Sequence, residues 1–355
     1  MNQLTLVNII QADDRLSGAV KKTPCIHSPE LSRLLQNLPA TPSSVRVYLK
    51  LENLQKAGSF KYRGAMNALS QLNDSELAKG FVTYSSGNHA RGLVEVAHGI
   101  SRDRNVEIPV KVVMPDQAAP EKLRAVRDLG AELFVSPGYD LEPCRRAAEE
   151  LALRSGARLV GSSEDTAVLE GHGTIGLEFA QQVKEEEGSH GLDVLLVPCG
   201  GGGLLAGCLV ALRDAGVQVL ACEPVVGGGS QLRESLKQGR RVPRDPTVGP
   251  SAADGLRAEI GDASWTVISE HLTADDVLQV TEEEIVRALA ISRELGMEGS
   301  IEPSSAVPLA ALLFSEGLHA RISRDDKECL NIGIVVTGGT SAKVHTREDH
   351  GYRKK

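Results

Sequence analysis

The sequence predicts an α/β protein of about two domains, with largely parallel sheets flanked by helices. Three observations carry this. From about residue 45 onward, short β-branched runs alternate with helical patterns, the signature of parallel strands joined by helical crossovers. Aromatic residues are only 3% of the chain, so the core is built from Leu, Val, Ile and Ala, which suits strands buried on both faces. A length of 355 residues is large for a single compact domain.

Taken in order, residues 45–51 (VRVYLKL) read as the first strand. Helical spacing of Ala65, Leu69 and Leu72 then places Lys61 near a helix start. Strands follow at Phe81–Tyr84, 108–114, 132–135, Val194–Pro198, 217–222 and 332–336, each short and rich in Val, Ile or Leu. Helical patterns occupy 120–129, 143–154, 204–215 and 281–295. The last opens on Thr281-Glu282-Glu283-Glu284, a capping-box start with acids at the positive helix end. Residues 184–188 (KEEEG) are expected to be a solvated helix end. Residues 225–250, rich in Gly, Pro and Arg, are expected to form a mobile surface segment, and 345–355 a frayed tail.

Charge narrows the function. Lys and Arg total 39 against 47 Asp and Glu, a net charge of −8, which argues against nucleic acid or an anionic membrane surface as the main partner. No apolar run reaches the roughly 18–20 residues of a membrane span. The N-terminus lacks the basic start of a signal peptide, so a cytoplasmic protein is expected. The six cysteines (25, 144, 199, 208, 222, 329) form no CxxC pair and read as reduced, mostly buried thiols.

The clearest local signal is the strand Val194–Pro198, then Cys199, then Gly200, Gly201, Gly202 and Gly203, then a helix beginning at Leu204. Strand, glycine loop and helix together offer free N–H groups and a positive helix end to an anion, most often a phosphate. No GK[ST] follows, so this is not a nucleotide-triphosphate loop. Two further readings stay open. Gly201-x-Gly203-x-x-Ala206, with Glu223 placed 22 residues after Gly201 as a ribose-binding acid, fits an NAD-dependent oxidoreductase. A tight turn packing helix on strand is the structural alternative.

Two upstream segments add chemistry. Lys61, beside a positive helix end, would have its pKa lowered toward the neutral amine that imine chemistry needs. After the strand Phe81–Tyr84 comes Ser85-Ser86-Gly87-Asn88-His89, a turn whose hydroxyls and N–H groups suit a carboxylate. Either feature alone is ordinary; their occurrence on one scaffold with a phosphate-type loop is not.

These segments resemble the fold type II (tryptophan-synthase β-like) pyridoxal-phosphate enzymes, and within them the serine/threonine dehydratases and serine racemases. The resemblance rests on Ser59-Phe60-Lys61-Tyr62-Arg63-Gly64-Ala65, on the Ser85–His89 turn, on glycines 200–203 and on Thr337-Gly338-Gly339. Thr23-Pro24, Glu170-Gly171-His172-Gly173-Thr174-Ile175, Ala253-Asp254-Gly255-Leu256-Arg257 and Ile301-Glu302-Pro303 also fall in family order, so the likeness spans about residues 20–340. It implies a two-domain enzyme, with a small substrate-loop domain over 78–163 inserted in a large cofactor-binding domain formed by 1–77 and 164–355. Lys61 would link to pyridoxal 5′-phosphate and act as base at the substrate Cα, with Phe60 packed beside the cofactor. Asn88 would bond the phenolic oxygen, and glycines 200–203 with the Leu204 N–H would cradle the phosphate. Thr337 would face the pyridine nitrogen without holding it fully protonated, favouring β-elimination over transamination. Ser85, Ser86, Gly87, Asn88 and His89 would bind the substrate, Ser86 also serving as acid/base on the opposite face of Cα.

The implied reaction is α,β-elimination of water from a β-hydroxy amino acid such as L-serine or L-threonine, giving a 2-oxo acid and ammonia. Serine racemisation and dehydration of an acidic substrate such as hydroxyaspartate are the alternatives. A homodimer is the family expectation, and too few residues follow Thr340 for a C-terminal regulatory domain. Three departures bear on the subtype. Arg91 stands where relatives usually have Gln, reflecting an acidic substrate or a surface change. Glu223 matches a first metal ligand while Gly229 falls where a second would be, so activation by a divalent or monovalent cation is doubtful. Gly161-Ser162-Ser163 lacks the His-Pro of relatives.

Overall fold

Along each central strand, successive side chains go to opposite faces, and the burial pattern shows both faces covered. On β7 (Val194–Pro198), Leu195 and Val197 enter one apolar cluster, while Val194 and Leu196 enter the cluster on the other side. On β8 (Gln218–Pro224), Val219 and Ala221 divide from Leu220 and Cys222 in the same way. A period of two with apolar residues on both faces is what a parallel sheet sandwiched by helices requires.

The computed structural model describes residues 3–37, 44–85, 87–188, 190–228, 231–245, 247–297, 301–325 and 327–339. The remaining strands are β1 (Cys25–His27), β2 (Ser44–Leu51), β3 (Phe81–Tyr84), β4 (Val110–Pro115), β5 (Glu132–Ser136), β6 (Arg158–Leu159), β9 (Val277–Val280) and β10 (Cys329–Val336). They form a six-stranded sheet ordered β1-β2-β10-β7-β8-β9 and a four-stranded sheet ordered β5-β4-β3-β6. Every pairing is parallel except that of β1 with β2. The smaller sheet draws only on residues 81–159. The chain is thus an α/β protein with mostly parallel sheets flanked by helices. No helix among the described residues is long and apolar enough to cross a membrane.

The parallel order has a functional consequence. Neighbours β2, β10 and β7 end on the same edge, and the chain leaves them at Glu52, Thr337 and Cys199. Loops beyond the carboxyl ends of parallel strands are where α/β folds place ligands.

Most expected elements lie within a few residues of their observed bounds, and Thr281 makes the full capping box with Glu284. Others differ. The glycine-loop helix covers Gly203–Leu212 and then gives way to turns. The segment 225–250 is not wholly irregular, since Leu232–Gln238 is helical. In the 184–188 run Glu187 is not merely solvated: its carboxylate accepts from Arg46 and the Tyr48 hydroxyl, pinning the helix Thr166–Glu187 to β2. The antiparallel β1 is too short for its sequence to announce. The tail 345–355 lies outside the described residues.

Candidate active site

Lys61 is the first residue of the helix Lys61–Ser70, with Phe60 as its N-cap. Its Nζ sits 4.7 Å from the centre of the Phe60 ring, and no ion pair joins it to another of the described residues. Burial of the amine pushes its pKa down to about 8, with Glu302 pulling the other way. The lowered pKa expected from sequence is therefore present, but desolvation rather than the helix end is its main cause. The Phe60 ring packs in turn on His172 at 4.8 Å.

Strand β3 delivers the serine turn. Buried Ser85 accepts the Gly87 N–H on its Oγ at 3.0 Å. Gly87 precedes the helix Asn88–Arg104 with φ 155°, and a Cβ there would lie 2.7 Å from Lys122 Cδ. That crowding and the positive φ demand glycine. Ser86 lies outside the described residues. Asn88 donates its Nδ2 to Glu302 Oε1 at 2.7 Å. His89 is buried and its Nε2 contacts the Val160 carbonyl at 3.1 Å. Burial first and Lys61 second push its pKa down to about 3, so the ring is neutral. A carbonyl can only accept, so Nε2 carries the proton and Nδ1 is a bare acceptor. The ring thus has no donor left for a carboxylate, and any help from His89 in holding one falls to its backbone.

After β7 the chain runs through Gly200, Gly201, Gly202 and Gly203 into the helix Gly203–Leu212. Among the described residues, no protein atom accepts from the N–H groups of Gly201 through Leu204. Behind the loop there is no room: a Cβ on Gly200 would meet Leu256 Cα at 2.8 Å, and one on Gly203 the Ser162 carbonyl at 2.7 Å. The free N–H groups and the positive helix end form an anion-binding nest.

Thr337 leaves β10 buried, and its carbonyl accepts the Phe60 N–H at 3.0 Å. Ser59 and Gly338 form a β-bridge just beyond. Two segments far apart in sequence therefore touch at one point.

These residues meet in a cleft of about 1220 Å³ whose walls include Phe60, Lys61, Ser85, Asn88, His89, Gly200, Gly201, Gly202, Gly203, Leu204 and Thr337. Glu302, within the Ile301-Glu302-Pro303 motif, also lines the cleft, a role its sequence does not announce. Its place at a helix start, followed by Pro, was the available signal. Lys122, paired with Asp254 in the cleft wall, was not anticipated.

Other expectations do not lead here. Arg91 does not line the cleft and pairs with Glu95 at 3.0 Å on its own helix, which favours the surface reading. Glu223 is buried, and its carboxylate accepts the N–H groups of Leu232 (2.6 Å) and Arg233 (3.0 Å) and the Gln279 amide (3.1 Å). It does not line the cleft, which removes the ribose-binding acid of the oxidoreductase reading. Gly229 lies outside the described residues. No cluster of His, Cys, Asp and Glu suited to a metal occurs among the described residues, and all six cysteines are free thiols.

Residues 16–338 match a family model described as pyridoxal-phosphate dependent enzyme. The chain is 34% identical over 341 residues to a serine racemase of Dictyostelium discoideum, covering 96% of this chain and 95% of that protein. It is 35% identical over 305 residues to an L-threonine ammonia-lyase of Geobacter sulfurreducens, covering 86% and 70%. Among solved structures, a pyridoxal 5′-phosphate-dependent aspartate racemase superposes with a TM-score of 0.81 at 30% identity, covering 96% of this chain and 97% of that one.

Proposed function

The chain belongs to the family of pyridoxal-phosphate dependent enzymes, and on that premise we propose that it removes water from a β-hydroxy amino acid such as L-serine or L-threonine, releasing a 2-oxo acid and ammonia. The observation that carries this reading is the meeting of Lys61, Asn88, the glycine loop and Thr337 on one cleft. The residues present fit the cofactor. Unpartnered N–H groups from Gly201 to Leu204 suit its phosphate, and a lysine with pKa near 8 suits its aldehyde. The second Nδ2 proton of Asn88 suits its phenolic oxygen, and Thr337, which lines the cleft, would face its ring nitrogen. When bound, pyridoxal phosphate supplies the electron sink that makes the substrate Cα proton removable.

The chain's own groups do the rest. Lys61 Nζ, neutral in an appreciable fraction near pH 8, takes the proton from Cα. The Ser85 hydroxyl and the backbone N–H groups of Asn88 and His89 would hold the carboxylate, with Gly87 shaping the turn through its N–H to Ser85, and Phe60 would pack beside the cofactor ring. Ser86 would serve the opposite face of Cα. Serine racemisation is the second reading, favoured by the likeness to the Dictyostelium serine racemase. We also propose residues 78–163 as a smaller domain set into a larger one formed by 1–77 and 164–355. A homodimer rests on the family likeness alone, and a cytoplasmic location on the six free thiols; sedimentation and fractionation test them.

Proton NMR of the protein with pyridoxal phosphate and L-serine, then L-threonine, in deuterated water tests the reaction. Oxo-acid signals establish the dehydratase. Loss of the Cα proton without oxo acid establishes Cα exchange and moves the reading to a racemase. No change with either substrate sinks both.

A further inference from the structure

We propose that Arg244 clasps two sides of the cleft rim together, and that small molecules enter the cleft when this clasp opens. This rests on the reading above that the cleft holds cofactor and substrate.

Arg244 belongs to the segment that follows the helix Leu232–Gln238, and its side chain is 7% exposed. It reaches across 104 positions of sequence, where its Nη2 donates to Asp140 Oδ1 at 2.7 Å. Its guanidinium carbon also lies 5.0 Å from the centre of the Tyr139 ring. Tyr139 and Asp140 lead from β5 of the four-stranded sheet into the helix Leu141–Ser155, whereas Arg244 comes after β8 of the six-stranded sheet. Asp140 and Leu141 line the cleft from one side of this contact, and Arg241 and Arg244 from the other.

The segment is fixed firmly at its own end. Arg241 pairs with Asp262 and donates through Nη1 to the Ile260 carbonyl at 2.7 Å, and the Val242 N–H donates to Ser235 Oγ at 3.0 Å. Among the described residues, every hydrogen bond and ion pair from 239–245 to the four-stranded-sheet part passes through Arg244. Asp140 stands at the N-cap of its helix, yet its side chain makes no capping bond. Pro143, the third helical residue, has no N–H to offer it, and the carboxylate goes to Arg244 instead. Asp140 is 48% exposed. A pair that open, backed by one ring contact, is weak enough to break and re-form, as a gate must. A separate ion pair, Lys122–Asp254, spans the cleft beside the Gly87 turn, so opening at Arg244 is local to the rim.

The test is the rate at which hydroxylamine, a small carbonyl reagent uncharged at neutral pH, strips pyridoxal phosphate from the holoenzyme, read as loss of visible absorbance. Arg244→Ala should speed it by roughly three- to tenfold. Asp140→Asn, which keeps the shape of the side chain, should speed it by roughly two- to fivefold. High salt should speed the wild type and leave Asp140→Asn unchanged, because it screens the same pair. Arg244→Lys, which keeps the charge, should restore part of the wild-type protection. Equal rates in wild type and Asp140→Asn, with no salt effect, overturn the proposal even if Arg244→Ala is faster, since that variant also loses its bond to the Val248 carbonyl. The readout needs no amino-acid substrate. A protein with the expected rates but no turnover of L-serine or L-threonine keeps the clasp and loses the proposed reaction.

Discussion

Asn88 and Glu302 are joined by a 2.7 Å hydrogen bond across 214 positions of sequence. Glu302 is buried, and burial pushes its carboxyl pKa up while Lys122, Asn88 and Lys61 pull it down. A side chain on Gly338 would sit 2.9 Å from Glu302 Oε1, so the Thr337-Gly338 turn closes over this pair. The bond fixes one Asn88 amide proton and leaves the other aimed by geometry. Glu302→Ala should therefore lower kcat/KM for L-serine by roughly ten- to a hundredfold, as lost orientation of a contacting group does. Asn88 should act in the same unit, so the Asn88→Ala/Glu302→Ala double variant should fall little below the worse single one; strictly additive losses would separate the two residues.

The amine of Lys61 gives a pH prediction. Its pKa is lowered to about 8 by burial, and only the neutral amine attacks an aldehyde. The rate at which apoenzyme takes up pyridoxal phosphate should rise with pH and level off above about 8. In Glu302→Gln the loss of a nearby negative charge should move that midpoint lower. Stopped-flow absorbance after cofactor addition reads both, and a midpoint near the ordinary lysine value of about 10.4 would mean that the amine is solvated. Lys61→Ala should show no such absorbance change at any pH.

How much of this was legible in sequence depends on the range of the interaction. The glycine loop and Lys61 were readable because strand, loop and helix are local patterns that carry their chemistry with them. The capping box at Thr281 was readable for the same reason. Glu302 was not, because its meaning lies in contacts with Asn88 and Gly338, which the fold brings together only in three dimensions. His89 shows how tertiary contacts narrow a local reading. Its place in the serine turn put it among the substrate-binding residues, and tertiary burial with the Val160 carbonyl leaves its ring only an acceptor, so its backbone N–H is the donor it could offer.

Arg91 is the residue for which sequence allowed an acidic substrate, and its geometry decides against a direct role. Its guanidinium is engaged by Glu95 one helical turn away, and both side chains are 27% exposed. An ion pair that open contributes little, and Arg91 does not line the cleft. Arg91→Gln should change the ratio of kcat/KM for 3-hydroxyaspartate over serine by less than about twofold. A selective loss of the dicarboxylic substrate would require Arg91 to reorient when substrate binds.

Behind the helix that carries Lys61 lies a buried ionic cluster. Arg63 donates to Glu52 through Nε (2.9 Å) and Nη2 (2.7 Å), and to Glu178 through Nη1 and Nη2 at 3.0 Å each. Lys50 also pairs with Glu178 and donates to the Thr23 carbonyl at 2.8 Å, while the Thr23 hydroxyl donates to Glu52. Arg63 and Glu52 are 1% and 0% exposed. Burial alone would make Arg63 easier to deprotonate, but Glu52 and Glu178 more than offset it and hold the charge. Two cations thus face two carboxylates, and removing one cation leaves a carboxylate uncompensated in a dry interior. Arg63→Met should cost about 3–5 kcal/mol, the usual penalty for breaking a buried pair. Because Arg63 stands two residues after Lys61 on the same helix, the loss should also weaken cofactor retention. Urea unfolding of the apoenzyme, followed by circular dichroism, measures the first effect, and equilibrium dialysis with pyridoxal phosphate the second. A variant as stable as wild type would mean that water or a neighbouring cation reaches Glu52 and Glu178 once the guanidinium is gone.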